Sequence, residues 1–391
     1  MNILLSGGWG YGNLGDEAIL KVSLSLISKR FPLAKIILLS YDPSKIELFT
    51  EPIVNIESSA HRVLFNRSAF EQLGTYGEVQ SFRSPLMRRA FSKLHRSIYG
   101  HYVKREQVNI DAWNRLELCF RNADIFIMSG GGYFNNWEES FFSRCTELEL
   151  AVKYHVPSYI VGQSFDYFYA YFRPRLELNL RYCKKISVRD SVSIGILKEL
   201  GIDGIYSPDL VLSHYEETID IQNEIAFVPA TCNPQNRIEI AKGIVIISTR
   251  YKLKVNIIIT RLYIDDIFEA QYYYSYFKKK KVDVSMQIPS DIGDVIRNIS
   301  RKKYIISRNL HGLILGMVYG GEKLLCLSNQ PKFVSFMEQI GKSKYVLDMN
   351  IVSSSELVSI FEELLSDKSS LENVKKQLSY SVTDNFNKLF D

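Results

Sequence analysis

The sequence predicts an α/β protein made of two Rossmann-like, doubly wound domains in series. Three observations predict it. Apolar runs of strand length alternate with segments of helical apolar spacing, the alternation occurs twice on either side of a polar stretch, and 391 residues exceed what one ordinary core takes. The first run, Asn2–Ser6, leads through glycines into Asp16–Arg30, where Ile19, Val22, Leu26 and Ile27 recur at helical spacing. Lys35–Ser40 completes a βαβ unit and so implies a parallel sheet. Ala123–Ser129, Ser158–Gly162, Lys185–Val188 and a segment near Ile205 read as further strands, with helices over Glu138–Lys153 and Ser191–Leu200. The polar stretch HYEETIDIQNE then precedes a strand at Ile225–Val228, which puts the boundary between a first domain, 1–218, and a second, 219–391. In the second, strands at Asn256–Thr260, Val282–Val284, Tyr304–Ser307 and Lys323–Leu327 alternate with helices near Asp266–Lys279, Asp291–Ser300 and from His311. Ser353–Ser355 and Ser369–Ser370 cap two closing helices. Two such domains suggest a cleft between them, with ligands at the carboxyl ends of the strands.

Composition bounds the function. With 46% hydrophobic and 23% charged residues the chain is globular, and a net charge of +5 gives no ground for nucleic-acid binding. Cys119, Cys145, Cys183, Cys232 and Cys326 lie far apart, with no zinc spacing, which predicts a reduced, cytoplasmic setting and no metal. No signal peptide and no spanning apolar run is read. Residues 60–110 break the rhythm: His61–Glu106 holds nine Arg/Lys against three Glu, interleaved with aromatics. Such an insertion is either a solvated helix-bearing excursion or a basic surface, including Arg88, Arg89, Lys93 and Arg96, for anionic lipid or a lipid-linked acceptor at the inner face of the membrane.

Gly10-Tyr11-Gly12-Asn13-Leu14-Gly15 spells the dinucleotide pattern G-x-G-x-x-G after a strand, and Asp42 stands where a ribose-binding acid would. Asp16 and Glu17 conflict with that use. Two carboxylates in the first helical turn oppose a pyrophosphate seated on the helix dipole, whereas Asp16 as a cap suits the same position. A nicotinamide cofactor is therefore not expected.

Four segments in order carry a resemblance: GYGNLGDEAIL, ADIFIMSGGGYF, ISVRDSVSIGILKELGI with SPDLVL, and YIISRNLHGLILGMVYG, followed by NQPKF. Together they are similar to the polysaccharide pyruvyl transferase family. That resemblance implies a two-domain fold like that of GT-B glycosyltransferases. It also implies transfer of a pyruvyl group from phosphoenolpyruvate to hydroxyls of a polysaccharide or its lipid-linked precursor, leaving a pyruvate ketal. The implied partners are a small-molecule donor and a saccharide acceptor, with no cofactor beyond the donor itself. The chemistry needs a proton donor, a base, and cations for a carboxylate and a phosphate.

His311 is the first candidate for acid/base work, since it follows a strand and opens a helix; a structural histidine fits the same place. The resemblance associates an arginine-leucine-histidine triplet here with the donor. This chain has Asn309 before Leu310, and its arginine, Arg308, stands one position earlier, where a side chain can turn to the opposite face. Gly312 completes this set. Arg189 supplies a second cation or pairs with Asp190 or Asp209, and Lys332 a third or a plain surface charge. On the acceptor side, Asn13, Asp16 and the glycines Gly130, Gly131 and Gly132 lie at strand ends. Asp16 is a base candidate as well as a cap, and the triple glycine offers close approach and N–H donors. Asp265–Asp266, after ITRLY, reads as a solvated helix start, with a functional pair as the alternative. Besides the pyruvyl transferase, a glycosyltransferase using a nucleotide sugar and a non-catalytic sugar- or lipid-binding module remain in competition. No D-x-D triplet supports a metal-held donor.

Overall fold

The computed structural model describes residues 1–46, 53–65, 110–166, 168, 170–215, 220–348 and 353–391. Of the basic segment, only the short helix at its start and residue 110 fall within this range; Arg88, Arg89, Lys93 and Arg96 lie outside the described residues. The chain divides into two compact units, Met1–Leu210 with Ser381–Asp391, and Val211–Tyr380.

The first unit holds a seven-stranded sheet of β1 (Asn2–Ser6), β2 (Lys35–Ser40), β3 (Ile53–Ser58), β4 (Ile125–Phe134), β5 (Ser158–Phe165), β6 (Lys185–Val188) and β7 (Ile205–Tyr206). Their order is β3-β2-β1-β4-β5-β6-β7, and every pairing is parallel. Helices α1 (Leu14–Arg30), α2 (Ala60–Phe65), α3 (Ile110–Arg121), α4 (Glu138–Lys153), α5 (Arg173–Arg181) and α6 (Ser191–Glu199) accompany it. The strands read as near-continuous apolar runs because a parallel sheet is covered on both faces. Ile3, Leu4, Leu5, Ile36, Leu38, Phe126 and Met128 are all fully buried. The last residues belong here because Phe390 packs its ring 4.7 Å from Tyr159 and 5.2 Å from Phe31, with Phe386 and Leu389 buried beside it.

The second unit repeats the plan with β8 (Gln222–Val228), β9 (Val255–Ile258), β10 (Val284–Gln287), β11 (Lys302–Ser307) and β12 (Lys323–Cys326) in the parallel order β10-β9-β8-β11-β12. Its helices are α7 (Pro234–Tyr251), α8 (Ile264–Lys279), α9 (Ile292–Ile299), α10 (Leu310–Tyr319), α11 (Pro331–Gln339) and α12 (Ser354–Ser366), with most of α13 (Glu372–Lys388). Ser353 Oγ accepts the Glu356 N–H and Ser370 Oγ the Glu372 N–H, as their sequence positions predict for caps.

Strand order decides where ligands can bind. In each sheet the order reverses direction at one place, between β1 and β4 in the first and between β8 and β11 in the second. Crossover connections leave these two strand pairs in opposite directions, so a crevice opens at their carboxyl ends.

Candidate functional site

At the first switch point the glycine loop after β1 meets the end of β4. Trp9 is fully buried and its indole N–H donates to the Leu39 carbonyl at 2.7 Å, which anchors the loop on β2. The cap of α1 is Asn13, not Asp16: Asn13 Oδ1 accepts the Gly15 N–H, and its Nδ2 donates to Asp16 Oδ2 at 2.9 Å. Glu17 turns back to accept the Gly10 N–H at 2.7 Å, so a carboxylate of the chain itself takes a loop donor that a phosphate would use.

Asp16 is 7% exposed. Burial pushes its carboxyl up to about 7, the neighbouring Glu17 adds to this, and Arg189, Asn13 and the Tyr133 hydroxyl oppose it. A carboxyl that titrates near neutrality at the carboxyl edge of a sheet can exchange a proton at working pH. Arg189, by contrast, is already engaged. Its Nη1 donates to Asp209 Oδ2 at 2.5 Å and its Nε to Ser164 Oγ at 2.8 Å, while Ser164 donates in turn to Asp190. The pairing alternative for Arg189 is the one observed.

Gly130, Gly131 and Gly132 are strand residues, not an open cradle. Gly131 lies at φ +133°, and a Cβ there would stand 2.2 Å from the ring of Tyr133. A Cβ on Gly8 would also meet Tyr133 at 2.2 Å. The glycines thus make room for Tyr133, a residue the sequence pattern did not single out. Beneath it Arg144 and Glu147 form a fully buried pair at 2.7 Å. Ser6 and the Ala60 N–H also donate to Glu147, and Arg144 reaches the Gly7 carbonyl and lies over the rings of Tyr41 and Tyr133. Paired charges of this kind inside a helix give no periodic signal. The one hint is an i,i+3 Arg-Glu pair on a helix whose neighbours are apolar.

The second switch point carries the SRNLHG stretch. Arg308 follows β11 and its N–H donates to the Val228 carbonyl of β8 at 2.9 Å, across the strand pair where the order reverses. Ser307 Oγ accepts the Asn309 N–H and donates to its carbonyl, fixing the turn. Asn309 is the cap of α10: its Oδ1 accepts the N–H groups of His311 and Gly312 at 3.0 and 3.3 Å. The substitution relative to the family triplet is thereby spent on the helix start. Gly312 has a packing reason, since a Cβ would come within 2.5 Å of Ser307 Oγ and 2.8 Å of Val228. Leu310 is buried, and His311, 8% exposed, occupies the first turn of α10. Lys332 sits in the first turn of α11, after β12, the strand next to β11.

The Arg308 guanidinium is the exception in this set. Its Nε and Nη1 are buried and, among the described residues, donate no hydrogen bond. Glu269 is the carboxylate that feels it electrostatically, but both Glu269 oxygens are bound by Arg237, at 2.9 and 2.5 Å. Burial raises the Glu269 carboxyl against the pull of Arg237, and the Cys232 thiol lies 3.4 Å from it. Two guanidiniums therefore share one carboxylate at this strand end. Asp266 belongs to the same end and is not solvated: 6% exposed, it accepts from Arg261 at 2.9 Å and from Thr231. The signal for Arg237 and Thr231 was present in the sequence as TCNPQNR after β8, where the first strand of a doubly wound half delivers its loop. Among the described residues no cluster of three or more His, Cys, Asp or Glu could hold a metal ion.

The model of the polysaccharide pyruvyl transferase family matches residues 13–322. The chain belongs to that family. It is a transferase, and the match runs from Asn13, the cap of α1, through β11 and α10. A search of curated protein sequences found no match. Among solved structures it is similar in fold to a UDP-GlcNAc 2-epimerase from Neisseria meningitidis bound to UDP-GlcNAc (TM-score 0.56, 11% identity, covering 100% of this chain and 98% of that one). A UDP-GlcNAc 2-epimerase from Methanocaldococcus jannaschii matches with TM-score 0.55 and 10% identity over 97% of this chain and all of that one. A ugt transferase from Siraitia grosvenorii in complex with UDP gives 0.51 and 11% over 100% and 99%. At such identities the likeness is one of fold: a GT-B-like α/β chain with two parallel sheets, of seven and five strands, flanked by helices. No helix among the described residues is long and apolar enough to cross a membrane.

Proposed function

We propose that this family member transfers the pyruvyl group of phosphoenolpyruvate to two hydroxyls of a saccharide, releasing phosphate and leaving a cyclic ketal. The observation that carries this reading is the Arg308 guanidinium, whose buried Nε and Nη1 make no hydrogen bond within the described residues at the β8/β11 switch point. Such donors are costly unless an anion takes them up, and the start of α10 beside them favours negative charge. Phosphoenolpyruvate brings both a carboxylate and a phosphate.

The steps balance as follows. A proton adds to the methylene carbon, which becomes methyl, and a saccharide hydroxyl attacks the adjacent carbon as its proton is removed. The carbon–oxygen bond to phosphate breaks, and a second hydroxyl closes the ketal, giving up its proton to the departing phosphate. We assign the methylene proton to His311 and anion neutralisation to Arg308, with Lys332 and Arg237 adding positive potential. Asp16, titrating near neutrality, takes the role of base toward an acceptor hydroxyl.

A nucleotide-sugar donor is the second reading, favoured by the epimerase and transferase neighbours solved with UDP-GlcNAc or UDP. One experiment separates them. Phosphoenolpyruvate is expected to raise the melting temperature and, with an oligosaccharide present, to release inorganic phosphate, and His311→Ala is expected to abolish the release while keeping the stabilisation. Stabilisation by UDP-hexoses with none by phosphoenolpyruvate overturns the pyruvyl assignment.

A further inference from the structure

Four aromatic rings gather at the carboxyl edge of the first sheet, one of them the Tyr41 ring beside the Arg144 guanidinium. Tyr11 of the glycine loop lies 5.1 Å from Tyr41, 5.6 Å from Trp137 and 6.1 Å from His61, and His61 stands 4.5 Å from Tyr41 and 5.6 Å from Trp137. Tyr41 and His61 are buried and hold the others in place, whereas Tyr11 is half-buried and Trp137 is 37% exposed. Trp137 also occupies the cap position of α4, and its side chain does not cap the helix. A Ser, Thr, Asp or Asn in that position contributes about 1 kcal/mol that tryptophan forgoes. Instead its backbone is fixed by its neighbour: Asn135 Oδ1 accepts the Trp137 N–H and Asn135 Nδ2 donates to the Gly132 carbonyl, both at 2.6 Å. A half-exposed indole held this firmly at a strand end, at the expense of a helix cap, calls for a ligand with an apolar face.

We infer that the rings of Trp137 and Tyr11 form the stacking wall of a hexopyranose subsite beside Asp16. A pyranose shows one face of axial C–H groups, which pack on aromatic rings, and a rim of hydroxyls that reach polar groups. Buried side chains tie the aromatic set to Asp16: the Arg144 guanidinium lies over both Tyr41 and Tyr133, and Tyr133 acts on the Asp16 carboxyl. This deepens the proposed function, resting on its saccharide acceptor but not on its donor.

The test uses the full chain without any donor. Aromatic protons are saturated in an NMR experiment with cellobiose, lactose, maltose or mannobiose present, and transfer to the sugar C–H protons is read. At least one disaccharide is expected to receive transfer from the unaltered protein. That transfer should fall roughly five-fold in Trp137→Leu and Tyr11→Leu, which keep apolar bulk without a ring, and be retained in Trp137→Phe. No transfer to any of the four sugars, or undiminished transfer in the folded double leucine variant, overturns the subsite. Because no donor is present, this readout is independent of the donor: if saturation transfer occurs while the melting-temperature test favours UDP-hexoses over phosphoenolpyruvate, the donor assignment fails and the subsite stands.

Discussion

The two switch points share one strand plan and differ in how their charges are satisfied. At the end of β1 and β4 the charged groups named above have partners within the protein: Arg189 with Asp209, Glu17 with the Gly10 N–H, Asp16 with Asn13, Arg144 with Glu147. At the end of β8 and β11 Arg237 is paired, and Arg308 keeps buried donors unused. Equal folds therefore supply unlike chemistry. The first arrangement raises a buried carboxyl toward neutrality; the second leaves buried guanidinium donors that the proposed function assigns to the donor's negative charge.

Arginine-to-methionine substitutions should break this comparison most sharply. Arg189→Met leaves Asp209, 4% exposed, as a buried carboxylate without its cation, and a stability loss of about 3–5 kcal/mol is expected in urea unfolding. Asp16→Asn comes next. The folded carboxyl titrates near 7 and an unfolded one at 3.8, so the folded state holds an additional proton between these values. This group's contribution to stability is complete below about pH 4 and is lost as pH rises through about 7, up to roughly 4 kcal/mol. Melting curves of the unaltered protein should show that decline, and Asp16→Asn should remove it. An identical pH slope in both proteins would show that Asp16 is not held protonated.

Arg308→Met is expected to lower donor affinity on the order of 100-fold, because a desolvated charge-assisted contact is worth roughly 2–5 kcal/mol. Its melting temperature should not fall, since the atoms removed include two buried nitrogens with no hydrogen bond in the described residues. A large destabilisation would mean that the guanidinium serves the fold, and the contrast with Arg189 would collapse. Phosphoenolpyruvate-dependent stabilisation, measured beside the melting temperature of the free variant, reads both at once.

Most of the fold was legible because parallel strands buried on both faces announce themselves as apolar runs. β1, β2 and β6 have the bounds their sequences predict, and α4 runs over Glu138–Lys153 as its pattern does. The sequence pattern ended β4 at Ser129, because glycines discourage a strand, whereas the strand continues to Phe134 and carries Tyr133 into the space they leave. Helix α7 is not among the helices read from the sequence, although proline at the first helical position after an asparagine cap is a helix start. Of the site, position was readable and partnership was not. Motif order put Asp16 and Arg308 at strand ends, and that Asn13 and not Asp16 caps α1 is a local choice between two capping residues three apart. That Asp209 claims Arg189 and that Arg237 claims Glu269 are long-range facts that no local pattern encodes.

The smallest expected effect concerns the residue at which this chain departs from the family triplet. Asn309 Oδ1 accepts two N–H groups of α10, so Asn309→Ala should cost about 1 kcal/mol of stability, while Asn309→Asp, which caps equally well, should cost little. Neither change touches the Arg308 donors directly. If the cap only builds the helix, Asn309→Asp should leave phosphoenolpyruvate stabilisation close to that of the unaltered protein. An aspartate whose charge faces the incoming anion would instead weaken it by several-fold with the melting temperature of the free protein unchanged. Comparing the two substitutions thus reports whether the donor's negative charge lies against the α10 start or is met by Arg308 away from it. The fold places both groups at the same strand end, and only the sign of the added charge tells them apart.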